Sequence, residues 1–250
     1  MKQIVSYRPS SSADTGVSIS VTTANSNFPA SNLKEIQPTK VWKSTSLVEH
    51  TVTYNFGQMV SYNAAFINRI NFAEFYVEAS LTGSAWFEVE HITGLTKDEI
   101  YEENYMHRLV DIQIPMYQYL RIRIPAQTPL FDASSFKIGN FLVGNLIQIW
   151  NPKAGYRVNE LPKMAITEFR SGYISMQKLG KTRRSFTGSF DKINITEFNK
   201  IIKTYQPFVL YNEFDNDKTS VYLVRSVKEY SRDYNMHNNV NFSFTFEEIV

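Results

Sequence analysis

Val240, Phe242, Phe244 and Phe246 alternate with Asn241, Ser243, Thr245 and Glu247. A period of two places each set on its own side of an extended backbone, so this stretch is a strand with one dry face and one wet face. The pattern recurs in "GVSISVTT", in "EHTVTYNFG" (Val52, Tyr54 and Phe56 on one side), and in "EFYVEAS", "AWFEVEHI", "RLVDIQI", "YLRIRI" and "FKIGNFLVGNLIQI". "AAFINRINF" is more continuously apolar, as a strand covered on both faces would be. Segments this short, spaced about 8–12 residues apart, belong to sandwiches and barrels. The 18 Phe and 15 Tyr suit pleated, half-buried surfaces.

A break comes after "FKIGNFLVGNLIQI". Pro152, Gly155 and Pro162 punctuate a connecting stretch. Beyond it, "AITEFRSGYISMQKL" and "RRSFTGSFDKI" read as two strands joined and paired through "GKT". In "NITEFNKIIKTYQ" the period changes: Phe198, Ile201, Ile202 and Tyr205 fall at helical spacing, which predicts a helix near 194–206. "PFVLYNEF", "SVYLVRSVKEYSRD" and the closing strand complete the chain. The expectation is a mainly β protein of two units. Residues 1–150 form a β-sandwich behind a flexible polar leader at 9–15, with an acidic loop or single helical turn at 95–106. Residues 151–250 form a second β-sandwich unit with one helix.

Composition removes several function classes. With 26 basic and 24 acidic residues the net charge is +2, too balanced for sequence-specific nucleic acid or a membrane surface. There is no cysteine, hence no disulfide, thiolate metal site or cysteine nucleophile. The first residues lack an apolar export segment, and no apolar run nears the roughly 18 residues that cross a bilayer. Synthesis in the cytoplasm without a signal peptide and no membrane insertion are expected. His50, His91, His107 and His237 are scattered, with no metal or nucleophile motif around them. Asp215 and Asp217 share D-x-D spacing, but Ser220 and Ser226 stand where a calcium loop needs Gly and Glu. No catalytic residue, metal or cofactor is expected.

The most particular segment is "FPASNLKEIQPTKVWKST", residues 28–45. Together with the strands C-terminal to it, this segment resembles the discoidin, or coagulation factor 5/8 type C, branch of the galactose-binding-like jelly rolls. Ala30, Asn32 and Leu33, then Trp42 and Ser44, match that family's opening loop. Phe56-Gly57 closes the next strand. Val77, Ser80, Gly83 and Trp86 match its turn element, and Tyr119, Leu120, Arg121 and Ile122 its "R-Y-L-R-I" strand. "FKIGNFLVGN" matches the closing strand. Glu35-Ile36 stands in place of the family's Asp-Gly, and its bridging cysteines are missing. Joined to a second β unit, this version is similar to bacteriophage tail-tip proteins of the distal tail and baseplate type. Their tail-tube-like domain comes first in the chain; here the order is reversed.

The resemblance implies Asn32, Leu33, Trp42, Ser44, Trp86 and Arg121 as fold-defining residues. It implies a non-enzymatic virion protein of a tail tip, forming a homo-oligomeric ring with tail-tube, hub and tape-measure partners and reaching a host-surface glycan. A carbohydrate-binding module for host glycans is the alternative. Trp42 has two roles open to it: a sugar-stacking platform, or an indole that plugs the sandwich and bonds a loop carbonyl. Arg121 and Arg123, alternating with Leu120, Ile122 and Ile124, can receive an acidic sugar or a partner's carboxylates; an ordinary solvent face has the same pattern. Lys178, Lys181, Arg183 and Arg184 cluster at a turn, suited to a subunit contact or to solvent.

Overall fold

A computed structural model describes residues 2–6, 17–35, 37, 39–95, 106–131, 134–149, 157–161, 164–168, 174–178, 183–194, 208–211, 221–226, 232–235 and 239–249. Through the first part of the chain the strands are β1 (Lys2–Ser6), β2 (Ser18–Val21), β3 (Trp42–Lys43), β4 (His50–Val60), β5 (Ala64–Ile70), β6 (Phe75–Ser80), β7 (Phe87–Ile92), β8 (Met106–Asp111), β9 (Tyr117–Ile124), β10 (Lys137–Ile138) and β11 (Asn140–Ile149). The rest carries β12 (Arg157–Leu161), β13 (Met164–Glu168), β14 (Ile174–Lys178), β15 (Arg183–Asn194), β16 (Phe208–Tyr211), β17 (Val221–Ser226), β18 (Arg232–Asn235) and β19 (Asn239–Glu248). Among the described residues the one helical element is a 3-10 turn at Ala30–Lys34. The protein is mainly β, built of sandwiched sheets.

Five strands form an antiparallel sheet in the order β2-β4-β9-β6-β7. Alternation decides its faces. Val52, Tyr54 and Phe56 of β4, Leu120, Ile122 and Ile124 of β9, and Phe75, Val77 and Ala79 of β6 point into the first core. They meet Ala65 and Ile67 of β5, Val110 of β8, and Phe141 and Val143 of β11. The Tyr54 hydroxyl donates to the Phe141 carbonyl across the sandwich at 2.9 Å, so the polar end of a buried ring is satisfied.

The second sheet runs β12-β15-β19-β17-β16-β1-β11-β5-β8, with β18 also paired to β19. It is continuous across position 150. The join is β1, which pairs β11 on one side and β16 on the other. Sequence pattern alone shows no strand at 2–6; the expected leader at 9–15 lies outside the described residues. The sheet curls, because β17 touches β8 although four strands lie between them. A second core fills that curl: Ala64, Phe66, Leu109 and Leu142 against Val209, Tyr211, Val221 and Leu223. β5 therefore serves one core with Ala65 and Ile67 and the other with Ala64 and Phe66, which is why its sequence lacks alternation.

Three expectations for the second part need revision or fall outside the described residues. β14 pairs β13, whereas β15 pairs β12 and β19, so the strands flanking "GKT" are not a hairpin with each other. "SVYLVRSVKEYSRD" is divided between β17 and β18. Asn194, the first residue of the expected helix, ends β15, and 195–207 lie outside the described residues, as do most of the 95–106 loop and Asp215 and Asp217.

Candidate functional site

Leu120, Ile122 and Ile124 are drawn into the first core, so the residues between them on β9 must face out. Register then fixes their company. Arg123 lies opposite Tyr76 of β6, and Tyr76 opposite His91 of β7. Arg121 lies opposite Glu78, and Glu78 opposite Glu88. On the other flank, Thr51 and Thr53 of β4 stand opposite Arg123 and Arg121. The outer face of the five-stranded sheet thus has a hydroxyl-bearing side and an aromatic, charged side.

On the charged side the planar groups hold one another. The two oxygens of Glu78 accept from Arg121 Nε at 2.5 Å and from Arg123 Nε at 3.2 Å. The Glu78 side chain is 10% exposed, and the guanidinium groups shield it from water. Arg121 lies over the Trp86 ring at 4.0 Å and Arg123 over the Tyr76 ring at 3.9 Å. The flanking His91 ring stacks on Tyr76 at 3.9 Å with 10° between planes. Glu74 closes the row by accepting from the Tyr76 hydroxyl at 3.3 Å and contacting His91 Nε2 at 2.9 Å. Glu49 reaches Arg123 Nη1 at 3.5 Å. Burial opposes the Arg123 charge, but hydrogen bonding and attraction from Glu78 and Glu49 outweigh it and raise its pKa.

Arg121 uses Nε for Glu78 and its flat face for Trp86, while neither terminal nitrogen has a protein partner among the described residues. The guanidinium plane is fixed, and its outer donors are presented beside a half-exposed indole.

The residues of the opening motif lie elsewhere, at the corner where the 22–49 connection crosses the sandwich. Trp42 and Leu33 are fully buried. The Trp42 indole N–H donates to the Thr23 carbonyl at 3.1 Å. Asn32 Nδ2 donates to the Val41 carbonyl at 2.8 Å, tying the 3-10 turn to β3. Ser44 Oγ donates to the Ser46 carbonyl and accepts the Phe136 N–H. His50, also buried, stands edge-on between Trp42 and Phe136, with Thr23 and Ser46 at its ring nitrogens. A second knot anchors the same connection: Arg69 donates to Asn140 Oδ1 at 2.9 Å, and Asn140 donates to the Glu35 carbonyl. Gly139 is required there, because a Cβ would come within 2.7 Å of Arg69 Cβ.

The two arginines of the basic cluster differ in exposure. Arg183 is exposed at the start of β15, but Arg184 is buried, with its guanidinium 4.6 Å over Tyr222. Its backbone N–H donates to Glu248. A buried Arg184 is unavailable as the surface contact expected of it; the Phe186–Tyr222 packing beside it draws the strand inward. Lys178 belongs to β14, and Lys181 lies outside the described residues. Unlike Leu33 and Trp42, Trp86 is only partly buried, with the Arg121 guanidinium 4.0 Å from its ring, and it is not among the first core's residues. Sequence reading missed Glu78, Tyr76 and His91. Alternation in "EFYVEAS" marks Tyr76 and Glu78 as outward, but nothing local says that β9 lies alongside.

No protein-family model matches the chain, and no curated protein is significantly similar to it. Among solved structures it is similar to a chitosan-binding module from a chitosanase/glucanase of Paenibacillus sp. IK-5, with 17% identity over 51% of this chain and 94% of that one, at a TM-score of 0.42. It is also similar to a family 32 carbohydrate-binding module of Clostridium perfringens in complex with galactose (14%, 57% and 98%, 0.42). A third is the C-terminal domain of a chitobiase from Bacteroides fragilis (14%, 54% and 97%, 0.42).

Proposed function

We propose that the chain is a non-catalytic carbohydrate-binding protein that takes a glycan on the outer face of its five-stranded sheet. The observation that carries this is Arg121, clamped by Glu78 and stacked on Trp86, with both terminal nitrogens uncommitted among the described residues. A sugar ring offers an apolar C–H face and a rim of hydroxyls. An indole bordered by a fixed guanidinium answers both, and a side chain already immobilised loses little entropy on binding. The resemblance of the opening motifs to a galactose-binding-like jelly roll agrees with this reading. Titration calorimetry against soluble bacterial surface polysaccharides tests it. Saturable binding is expected, weakened about tenfold or more by Trp86→Ala and by Arg121→Gln with circular dichroism unchanged. Binding to no polysaccharide, or binding indifferent to both substitutions, would overturn it.

A second reading, ring assembly at a phage tail tip, has one structural observation in its favour. β12 ends the ten-stranded sheet, and Arg157 through Glu160 are exposed on both faces, an edge open to another subunit. In that reading the protein resides in the virion, with tail-tube, hub and tape-measure partners, and displays its glycan face outward. Sedimentation analysis of the purified chain decides: a closed oligomer supports it, and a monomer at high concentration removes its basis.

A further inference from the structure

We infer that this face takes a glycan bearing a free amino group and disfavours acidic sugars; the inference rests on the glycan-binding reading above. Two arginines on a strand invite the opposite expectation. In the structure the charge of each is countered: Arg121 and Arg123 share Glu78, and Arg123 also meets Glu49. The neighbouring Arg108 is paired with Glu90 at 3.3 Å. Against Arg121 and Arg123 the face and its margin set Glu49, Glu74, Glu78 and Glu88, so the excess charge is negative.

The excess has a position. Glu88 is exposed, lies opposite Glu78, and has no partner among the described residues. Two residues before it stands Trp86, and residues i and i+2 of an extended chain share a face about 7 Å apart. An indole and an uncommitted carboxylate at that separation span one pyranose ring: the C–H face on Trp86, hydroxyls on the Arg121 terminal nitrogens, and an ammonium directed to Glu88. At Tyr76, desolvation and then the charge and hydrogen bond of Glu74 hold the phenol above its ordinary pKa against the Arg123 cation, and Glu88 adds the smallest push. A uronate or sialate at this place would meet Glu88 with a like charge.

The test compares a glucosamine oligosaccharide, its fully N-acetylated counterpart, an oligogalacturonate and a lysine oligomer, by calorimetry in mildly acidic, low-salt buffer. The glucosamine chain is expected to bind about tenfold tighter than the N-acetylated one, with no measurable uronate binding. Glu88→Gln should abolish that difference while the N-acetylated chain still binds. Equal or tighter uronate binding, a preference surviving Glu88→Gln, or equal binding of the lysine oligomer would overturn the inference and leave the glycan reading intact. Failure of all three saccharides would overturn the inference, and the glycan reading falls with it only if the bacterial surface polysaccharides also fail to bind.

Discussion

Trp42 and Trp86 each close a turn-rich stretch, and each matches a motif of the same resemblance, yet they have opposite surroundings. Trp42 is enclosed: its N–H has the Thr23 carbonyl, its ring has the edge of His50, and the corner is tied by Asn32, Ser44 and Phe136. Trp86 is partly covered, with the Arg121 guanidinium 4.0 Å from its ring, and keeps part of its surface in solvent. An indole contributes to stability by the volume it fills and the contacts it would forfeit, so the first belongs to the fold. A partly covered indole with a fixed donor beside it contributes less to stability and leaves surface for a ligand. What separates the two is the residue standing across from each ring.

Four experiments press on that difference. Trp42→Ala should have the largest effect, a loss of about 3–5 kcal/mol in denaturant unfolding, because a fully buried ring leaves a cavity and orphans the Thr23 carbonyl. The folded fraction should keep its glycan affinity; a stable variant that has lost binding would reverse the assignment of the two tryptophans. Glu78→Gln should cost about 1.5–3 kcal/mol, since it removes charge-assisted bonds to two arginines at once. It should also free Arg121 to turn, so binding falls with stability; intact binding would show that the clamp is not what orients the donor.

Trp86→Ala should cost less, about 1–2 kcal/mol from partial burial and a cation–π contact, while binding drops far more. A loss comparable to that of Trp42→Ala would mean that Trp86 is structural after all. The smallest effect concerns pH. Burial, with a further contribution from Tyr62, holds the Tyr117 phenol well above its ordinary value of 10.0. Its hydroxyl donates to the Tyr62 carbonyl at 3.0 Å. A raised folded-state pKa means that the native protein keeps a proton the unfolded chain gives up, so this contribution is complete below pH 10 and declines as pH rises beyond it. Unfolding midpoints recorded upward from neutral pH should fall in that alkaline range, and Tyr117→Phe should flatten the fall. Trp86→Ala should leave the alkaline slope unchanged.

Much of the architecture was legible in local pattern. "EHTVTYNFG" and "YLRIRI" alternate because each has one wet and one dry side, and the more continuously apolar "AAFINRINF" belongs to a strand between two cores. The site was legible only in halves. Arg121 and Arg123 announced themselves as outward; Glu78, 43 residues away from Arg121, did not announce itself as their counter-charge. The same limit misled the reading of "GKT", where adjacency in sequence implied a hairpin that the ladders of β14 and β15 do not form. It also hid β1, five residues whose place between β11 and β16 depends on partners far along the chain.

By itself the sequence determined a mainly β protein, the apolar side of its alternating strands, and the absence of thiol chemistry, because these depend on composition and on a period of two. Only the tertiary structure decided which strands lie side by side. Pairing is a contest among distant segments, settled by burial and backbone hydrogen bonding across the whole chain. It turned two ordinary surface arginines and a surface tryptophan into one fixed, donor-bearing face.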